Sequence, residues 1–329
     1  MKHVVVIGGG TGTFTLLSAL RDSPYKISAL LTMVDDGGSN RVLRDEFGLL
    51  PTSGVRQALV ALSSTPSLLR ELFLYRFHQG NGIKGMTFGN LFLAAVADIV
   101  GSQEEAIEQT AQLLSVKGDI LPISYDDVRL VAQYENGLEV VGEHAIDEPK
   151  HDGKLKIVKM YTKPKATINE KAMHAIKTAD YIFLGPGDFY TNTVANLIID
   201  GVCEAIINSS AHVVFICNLM TKYGETYNYA TSDFLEVLKE YIPINRIGTI
   251  LLNNDHSFPE EALEKYKQEH SMPVKDDLDS YDLPSSVQVI RTPLLLDEEI
   301  KPQKGDSVKR SIIRHDSDKL MSALKKIIV

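Results

Sequence analysis

Two acidic residues, Asp35 and Asp36, directly follow an apolar run and are themselves followed by Gly37, Gly38 and Ser39. Paired carboxylates at the end of a buried strand can hold Mg²⁺ through one or two oxygens, or orient or deprotonate a substrate hydroxyl. A solvated turn with capping aspartates is the structural alternative. The pair is therefore the candidate catalytic group and the candidate magnesium site, and the choice between these roles stays open.

A glycine-rich turn lies upstream, between an apolar strand pattern and a helical pattern. Glycines let the backbone approach a phosphate closely, and a helix N-terminus supplies unpaired amides and a partial positive charge. The dinucleotide fingerprint requires a third small residue where Thr13 stands, and the lysine of a Walker loop is missing from the motif. The turn predicts an anion site without fixing the class of nucleotide, and its residues are Gly8, Gly9, Gly10, Thr11, Gly12 and Thr13.

Further polar loops follow later apolar runs. Asp188 stands in a rigid Gly-Pro-Gly bend and is either a helix cap or a ligand, while Asn218 offers a donor and an acceptor to a base or sugar edge. Loops at the carboxyl ends of parallel strands converge on one crevice. We expect the glycine turn and the aspartate pair to share that crevice with Asn90, Gly185, Pro186, Gly187, Asp188, Asn192 and Asn218.

Two arginines follow the aspartate pair. Arg41 and Arg44 either face a phosphate or pair with Glu46. The sequence favours neither arrangement.

The elements that must position these residues alternate along the chain. Continuous apolar runs are typical of strands buried on both faces of a parallel sheet, and they predict strands at 4–7, 27–34, 181–184, 213–217 and 246–253. Helical periodicity lies between them, at 15–21, 55–63, 68–77, 91–100, 104–114, 169–178 and 231–241. The alternation predicts an α/β fold: a Rossmann-like, doubly wound, mostly parallel sheet with helices on both faces.

One segment departs from this alternation. Two β-rich runs within 128–147 flank Asn136 and Gly137, and Asn-Gly is a strong hairpin signal. With a third strand at 154–160, they predict an antiparallel excursion at about 128–160. A polar stretch at 259–283 predicts an exposed helix and loop, and residues 307–329 predict a closing strand and a helix at 317–328. We interpret 1–329 as a single domain.

Composition excludes several classes of function. Lys and Arg number 34 against 43 Asp and Glu, a net charge of −9, whereas nucleic-acid binding normally requires a basic patch. The chain contains neither a signal-peptide pattern nor an apolar run of about 18 residues, so we expect no membrane insertion and a cytoplasmic location. Cys203 and Cys217 each lie within an apolar stretch, so we expect both to be buried and reduced. The histidines form no metal-binding pattern, and the sequence contains no nucleophile elbow.

The motifs GGGTG, DDGGS…LRDEFG, GNLF, GPGDFYTN and CNLMTKYGET, in this order, resemble the YvcK/CofD family over nearly the whole chain. DDGGS and CNLMT are similar to the YvcK branch, often called gluconeogenesis factor. That resemblance implies a regulatory protein that binds UDP-N-acetylglucosamine and acts in gluconeogenic growth, cell shape and envelope metabolism. By motif it also implies that Tyr266 and Arg314 lie around the nucleotide sugar. The CofD branch implies transfer of 2-phospho-L-lactate from a guanylylated donor with Mg²⁺.

One motif departs from the family pattern. The family usually has Gly-Asp-Ile-Arg-Asn where this chain has Ser53, Gly54, Val55, Arg56 and Gln57. The arginine is kept as a binding candidate, but the acid and the asparagine are lost. The departure weighs against the transferase and leaves the binding role intact.

The leading hypothesis is thus a regulator that binds a nucleotide sugar, with no obligatory cofactor and Mg²⁺ as an option. The alternative is a transferase similar to the 2-phospho-L-lactate transferase. Plain NAD binding is the weaker third reading, because the dinucleotide fingerprint is incomplete. Homodimerisation and a regulatory protein partner are left open.

Overall fold

The computed structural model describes residues 1–297 and 312–329. Its strands are β1 His3–Gly8, β2 Lys26–Leu31, β3 Asp119–Pro122, β4 Arg129–Tyr134, β5 Glu139–Val141, β6 Ile157–Lys163, β7 Tyr181–Leu184, β8 His212–Ile216, β9 Ile247–Asn253 and β10 Gln288–Thr292.

The α-helices flank and connect these strands. They are α1 Gly10–Leu20, α2 Gly38–Phe47, α3 Ser53–Leu62, α4 Ser67–Leu74, α5 Phe88–Val100, α6 Gln103–Leu113, α7 Glu143–Asp147, α8 Glu170–Lys177, α9 Ala195–Leu197, α10 Val202–Asn208, α11 Thr231–Lys239, α12 Glu260–Gln268 and α13 Ser317–Ile327. A π-helical segment, Phe189–Val194, precedes α9.

The large sheet of the described residues has seven strands in the order β10-β9-β8-β7-β1-β2-β3, and every adjacent pair is parallel. From β1 the chain moves outward through β2 to β3, then returns to β7 on the other side of β1 and continues outward to β10. The strand order therefore reverses between β1 and β7, which is where open α/β sheets bind ligands. The doubly wound fold predicted from the sequence is confirmed.

The residues of β1 show why its sequence is continuously apolar. Val5 and Ile7 belong to one hydrophobic core, whereas Val4 and Val6 belong to another, and all four side chains are fully buried. Successive strand residues point to opposite faces, so an alternation between two cores means that the sheet is covered on both sides. Helices α8, α10 and α11 contribute to the first core, and α1, α3 and α13 to the second.

The predicted hairpin excursion is confirmed. Strands β4, β5 and β6 form a separate antiparallel sheet in the order β5-β4-β6, which we call the small sheet. Gly137 turns the hairpin with φ +83°, a backbone conformation that glycine adopts without strain. The fully buried Tyr134 donates a hydrogen bond of 3.1 Å to the Gly224 carbonyl and so fixes the small sheet to the loop after β8.

Several elements differ from the sequence prediction. Helix α1 begins at Gly10 rather than at residue 15, because the glycine-rich residues that obscured the periodicity form its first turn. Helices α2 and α10 were not predicted, nor were the four-residue β3 and the half-buried edge strand β10. The closing helix is present as α13, and α12 lies in the polar stretch. The predicted closing strand begins at residue 307, outside the described residues.

None of the helices found in residues 1–297 and 312–329 has the length and apolar character needed to cross a lipid bilayer.

Candidate functional site

Two glycine turns touch at the carboxyl ends of β1 and β7. A Cβ on Gly12 would lie 2.6 Å from the carbonyl carbon of Pro186, and a Cβ on Gly187 would lie 2.8 Å from the carbonyl oxygen of Gly9. Such distances are shorter than any side chain tolerates beside backbone. These positions therefore need glycine because the turns are in direct contact, and the contact lies where the strand order reverses.

Side chains within the candidate set fix the turn after β7. Thr13 Oγ1 donates to the Pro186 carbonyl at 3.1 Å, and Asn218 Nδ2 donates to the Gly187 carbonyl at 2.7 Å. Thr13 is buried, so its hydroxyl is used within the protein. Both residues lie where the two turns meet, and both fix the backbone of the turn after β7.

The start of α1 leaves backbone donors for a ligand. The N-cap residue, Gly9, provides no side-chain cap, and the first amides of a helix have no partner in the preceding turn. The helix dipole adds partial positive charge there. Asn192 lies against this turn, since a Cβ on Gly9 would come within 2.2 Å of Asn192 Oδ1. The backbone is thus arranged as an anion site requires.

Asp35 is held by a buried polar network. Its Oδ2 accepts from Asn40 Nδ2 at 2.7 Å, and the same amide donates to Ser53 Oγ at 2.8 Å. Asn90 Nδ2 donates to Asn40 Oδ1 at 3.1 Å, and Arg56 Nε donates to Asn90 Oδ1 at 2.9 Å. Arg56 and Asn90 are 4% and 0% exposed. The structure therefore places these two candidates behind Asp35, as its support.

Asp36 has partners different from those of Asp35. Its Oδ1 accepts from the His144 amide at 3.0 Å, and its Oδ2 pairs with Arg129 Nη1 at 3.4 Å. Asp36 thus binds the small sheet and the first turn of α7. Burial raises the pKa of Asp35, and the charge of Asp36 adds to the rise, while the Gly37 amide, 2.9 Å from Asp35 Oδ1, opposes it.

The backbone amides after the Gly-Pro-Gly bend donate hydrogen bonds to a side chain of the protein itself, the carboxyl group of Glu225. Glu225 Oε2 accepts from the amides of Tyr190 and Thr191 at 2.8 and 3.2 Å, and its Oε1 accepts from Thr191 Oγ1 at 3.1 Å. The Glu225 side chain is fully buried. Burial raises the pKa of Glu225 to about 7, although Lys222 and the Tyr190 amide act in the opposite direction. The π-helical segment is therefore capped internally.

Lys222 joins the loops after β7 and β8 to helix α7. Its ammonium pairs with Asp147, with Asp188 at 2.9 Å and with Glu225 at 3.4 Å. Burial acts to lower the pKa of Lys222, but the surrounding carboxylates outweigh it and raise the pKa well above its ordinary value. Asp188 is thus an ion-pair partner, and it makes no side-chain cap to the π-helical segment. We call Asp147, Asp188 and Glu225 the carboxylate cluster.

Glu143 adds a further carboxyl group near Asp35 and Asp147. Burial raises its pKa well above the ordinary value, and the charges of Asp35 and Asp147 raise it further, while Lys222 lowers it. The crevice therefore combines backbone donors at α1 with an acidic side.

The aspartate pair does not fit a shared Mg²⁺ in this arrangement. Asp36 is engaged by Arg129 and by a backbone amide, and Asp35 by Gly37 and Asn40. The carboxylate oxygens that do converge within the described residues belong to the carboxylate cluster, where one atom from each residue lies within 4.8 Å of the others. The ammonium of Lys222 is already bound there.

Tyr266 contacts the segment that carries Arg314, and it lies near the loop after β8. The Ile312 amide donates to Tyr266 Oη at 3.2 Å, and the carbonyl of Arg314 accepts from the Leu296 amide at 2.9 Å. Tyr266 packs in a small hydrophobic cluster with Leu219, the residue that follows Asn218. Helix α12 thus packs Tyr266 near the loop that carries Asn218, and the backbone of the segment before α13 lies beside Tyr266.

The two arginines of α2 have acidic partners other than Glu46. Arg41 pairs with Asp45 at 3.7 Å, and Arg44 pairs with Asp127 and donates to the Val128 carbonyl at 3.1 Å. Arg44 therefore connects α2 to the start of the small sheet.

Sequence reasoning missed several residues of the site. Lys222 and Glu225 follow β8 and Asn218, so the rule that loops at strand ends converge was a signal for them. Glu143 and Asp147 arrive on α7 from the small sheet, and no local pattern places them near β1. Asn196, which donates to the Gly8 carbonyl at 3.1 Å, lies in an ordinary helical context.

Known proteins are similar to this chain over nearly its whole length. A family model described as 2-phospho-L-lactate transferase CofD matches residues 4–295. The gluconeogenesis factor of Bacillus subtilis is 35% identical over 325 residues, which are 99% of this chain and 98% of that protein. That of Halalkalibacterium halodurans is 40% identical over 273 residues, 83% of this chain and 84% of that protein. A crystal structure of a UPF0052 family member from Bacillus halodurans has a TM-score of 0.87 at 34% identity, covering 98% of this chain and 99% of that one.

Proposed function

The chain belongs to the CofD family, and from that premise we propose that it is a regulatory protein whose crevice binds UDP-N-acetylglucosamine. The observation that carries the proposal is the contact between the two glycine turns where the strand order reverses. This contact sets backbone amides of α1 beside the turn after β7, and backbone amides at a helix start are suited to a diphosphate.

The rest of the ligand follows from the surroundings of that turn. The acidic side of the crevice suits sugar hydroxyls, because a carboxyl group accepts hydrogen bonds from hydroxyls when ionised and can also donate one when protonated. The planar guanidinium of Arg314 can bind a phosphate through two hydrogen bonds, and Tyr266 lies near the segment that carries Arg314. We assign these two residues to the nucleotide and the acids to the sugar.

The contacts of Asp35 and Asp36 favour a regulatory binding protein over a transferase. A transferase would use Asp35 or Asp36 as a metal ligand or a base, yet both carboxylates are engaged by hydrogen bonds or ion pairs within the chain. The acid of the Gly-Asp-Ile-Arg-Asn pattern is also replaced, by Gly54. A binding protein needs neither group.

Calorimetric titration tests the proposed ligand. UDP-N-acetylglucosamine is titrated into the protein beside GDP and NAD, and we expect saturable heat with the UDP-sugar. Arg314→Ala should weaken that binding roughly tenfold or more, since a hydrogen bond to a charged group contributes about 1.5–3 kcal/mol. Arg291→Ala is the matched control, because Arg291 pairs with Asp276 and Asp279. Tight GDP binding without heat from the UDP-sugar would refute the assignment.

The relatives' name, gluconeogenesis factor, supports the gluconeogenic part of the proposed cellular role. We assign the chain a role in gluconeogenic growth, together with cell shape and envelope metabolism. Expression of the chain in Bacillus subtilis lacking its own gluconeogenesis factor should restore growth on a gluconeogenic carbon source. Failure of a folded, expressed chain to do so, while it still binds the UDP-sugar, would separate the binding role from the cellular one.

A further inference from the structure

Lys222 places a positive charge where three carboxylates from three elements converge. Asp147 ends α7, Asp188 precedes the π-helical segment, and Glu225 lies in the loop after β8. Within this group the ammonium lies 2.9 Å from Asp188 and 3.4 Å from Glu225 and contacts Asp147 directly. The three acids are thus gathered around one cation that is part of the chain.

The same carboxylate cluster has the donor set of a divalent metal site. Mg²⁺ and Mn²⁺ prefer carboxylate oxygens and complete their coordination with water. An ammonium is a compact, strongly hydrated point charge with three donors, so it can satisfy three carboxylates in the same volume. A metal ion and Lys222 cannot occupy this position together, because their charges repel and their volumes overlap.

The position also bears on ligand binding. Asp188 belongs to the turn that touches the glycine turn of β1, and Glu225 binds the amides of Tyr190 and Thr191. Whatever cation neutralises the carboxylate cluster therefore holds the turn after β7 in place beside the crevice.

We propose that Lys222 takes the place of a divalent metal ion at the carboxylate cluster, so that this chain binds its ligand independently of Mg²⁺. The ligand half of the inference rests on the proposed function. The metal half does not, because it concerns only Lys222 and the three carboxylates.

Titration with Mn²⁺, followed by electron paramagnetic resonance, tests the metal half. The wild type is compared with Lys222→Met, which keeps the side-chain length without charge, and with Lys222→Arg, which keeps the charge. Lys222→Met should bind one Mn²⁺ at least about tenfold more tightly than the wild type, because the cluster regains an open cation position. Lys222→Arg should resemble the wild type.

Stoichiometric tight Mn²⁺ binding by the wild type, lost in Asp188→Asn, would overturn the inference. Failure of folded Lys222→Met to gain Mn²⁺ would overturn it equally. If Lys222→Met is destabilised, its thermal unfolding is measured with Mg²⁺ and with EDTA. Mg²⁺ should raise its melting temperature and leave that of the wild type unchanged, and an equal response of both proteins would contradict the proposal.

The ligand half is tested by titrating UDP-N-acetylglucosamine into the wild type in EDTA and in Mg²⁺. The two affinities should agree within about twofold, a difference of less than about 0.5 kcal/mol. Binding that EDTA abolishes would refute metal independence. No heat in either buffer would refute the proposed ligand instead, and the Mn²⁺ titration would still decide the role of Lys222.

Discussion

Gly12 shows how a single missing methyl group determines the shape of the crevice. It lies in the first turn of α1, and its backbone is one that alanine adopts readily, so conformational freedom is not the reason for glycine here. The reason is distance, because a Cβ would come within 2.6 Å of the Pro186 carbonyl carbon. The two turns can touch only because the residue at position 12 has no Cβ atom.

We predict that Gly12→Ala separates the two turns. Overpacking of this kind costs about 1–3 kcal/mol of unfolding free energy, and UDP-sugar binding should weaken with it. Urea denaturation and calorimetry measure the two effects. Gly54→Ala is the matched control, since a Cβ there would meet the Thr32 carbonyl at an ordinary 3.7 Å. In the helix α3 it should be neutral or stabilising by up to about 1 kcal/mol. Equal stability of the two variants would contradict the contact argument.

At this scale the sequence predicts residue types better than it predicts their partners. The glycine turn, Asp188 and Asn218 all lie at the carboxyl ends of strands β1, β7 and β8, as predicted from the strand pattern. That Asn218 donates to a backbone carbonyl, and that Asp188 pairs with Lys222, depends on loops distant in sequence. Hydrogen-bond partners across the fold are set by packing, which no local pattern records.

Among the elements, the small sheet has the largest effect on the site. Its hairpin is followed by α7, which carries Glu143 and Asp147 to the crevice and receives Asp36 at its first turn. The Asn-Gly turn predicts the hairpin because it is a local signal. Its docking could not be predicted, because it rests on contacts such as that between Tyr134 and Gly224, which are 90 residues apart.

Tyr134→Phe should loosen this docking. The hydroxyl is buried and donates to the Gly224 carbonyl, so its loss leaves a buried acceptor unpaired and should cost about 1–3 kcal/mol of unfolding free energy. Guanidinium denaturation measures the loss. Tyr161→Phe, which removes a 2.5 Å hydrogen bond to Glu139 on the exposed face of the same sheet, should cost less than about 1 kcal/mol. The reverse ranking would show that the buried hydroxyl does not hold the small sheet in place.

For the whole molecule, the alternation of strand and helix was predictable and the strand order was not. Buried strands such as β1 and β7 have a strong apolar signal because both faces are covered. The short β3 and the half-buried β10 lie at the sheet edges and lack that signal. The reversal between β1 and β7 depends on which way each crossover turns, and that is decided by the packing of helices on the two faces.

The acids gathered at the crevice predict a pH dependence of global stability. Burial raises the pKa of Glu225 from 4.5 to about 7, so between these values the folded protein binds the proton that the unfolded chain releases. The contribution of Glu225 to the free energy of unfolding is therefore complete below pH 4.5 and is lost as the pH rises through about 7. Each unit of pKa difference between the folded and unfolded states corresponds to about 1.4 kcal/mol. The raised pKa values of Asp35 and Glu143 act in the same direction.

Denaturation of wild type and Glu225→Gln from pH 5 to pH 8 measures this effect, because the other groups titrate in both proteins. The wild type should lose stability relative to Glu225→Gln as the pH rises. A constant difference, or one of opposite sign, would show that Lys222 and the backbone amides keep Glu225 ionised throughout.

The pairing of β1 with β7 also has a consequence for synthesis of the chain. The His3 amide donates a hydrogen bond to Asp180, which lies 177 residues later and directly precedes β7. More than half of the chain must therefore be synthesised before β1 can pair with β7. Until then β1 can pair only with β2, and its other edge is exposed to pairing with foreign strands. The proposed ligand cannot stabilise the nascent chain during this interval, because the contact between the two glycine turns forms only when β7 is in place.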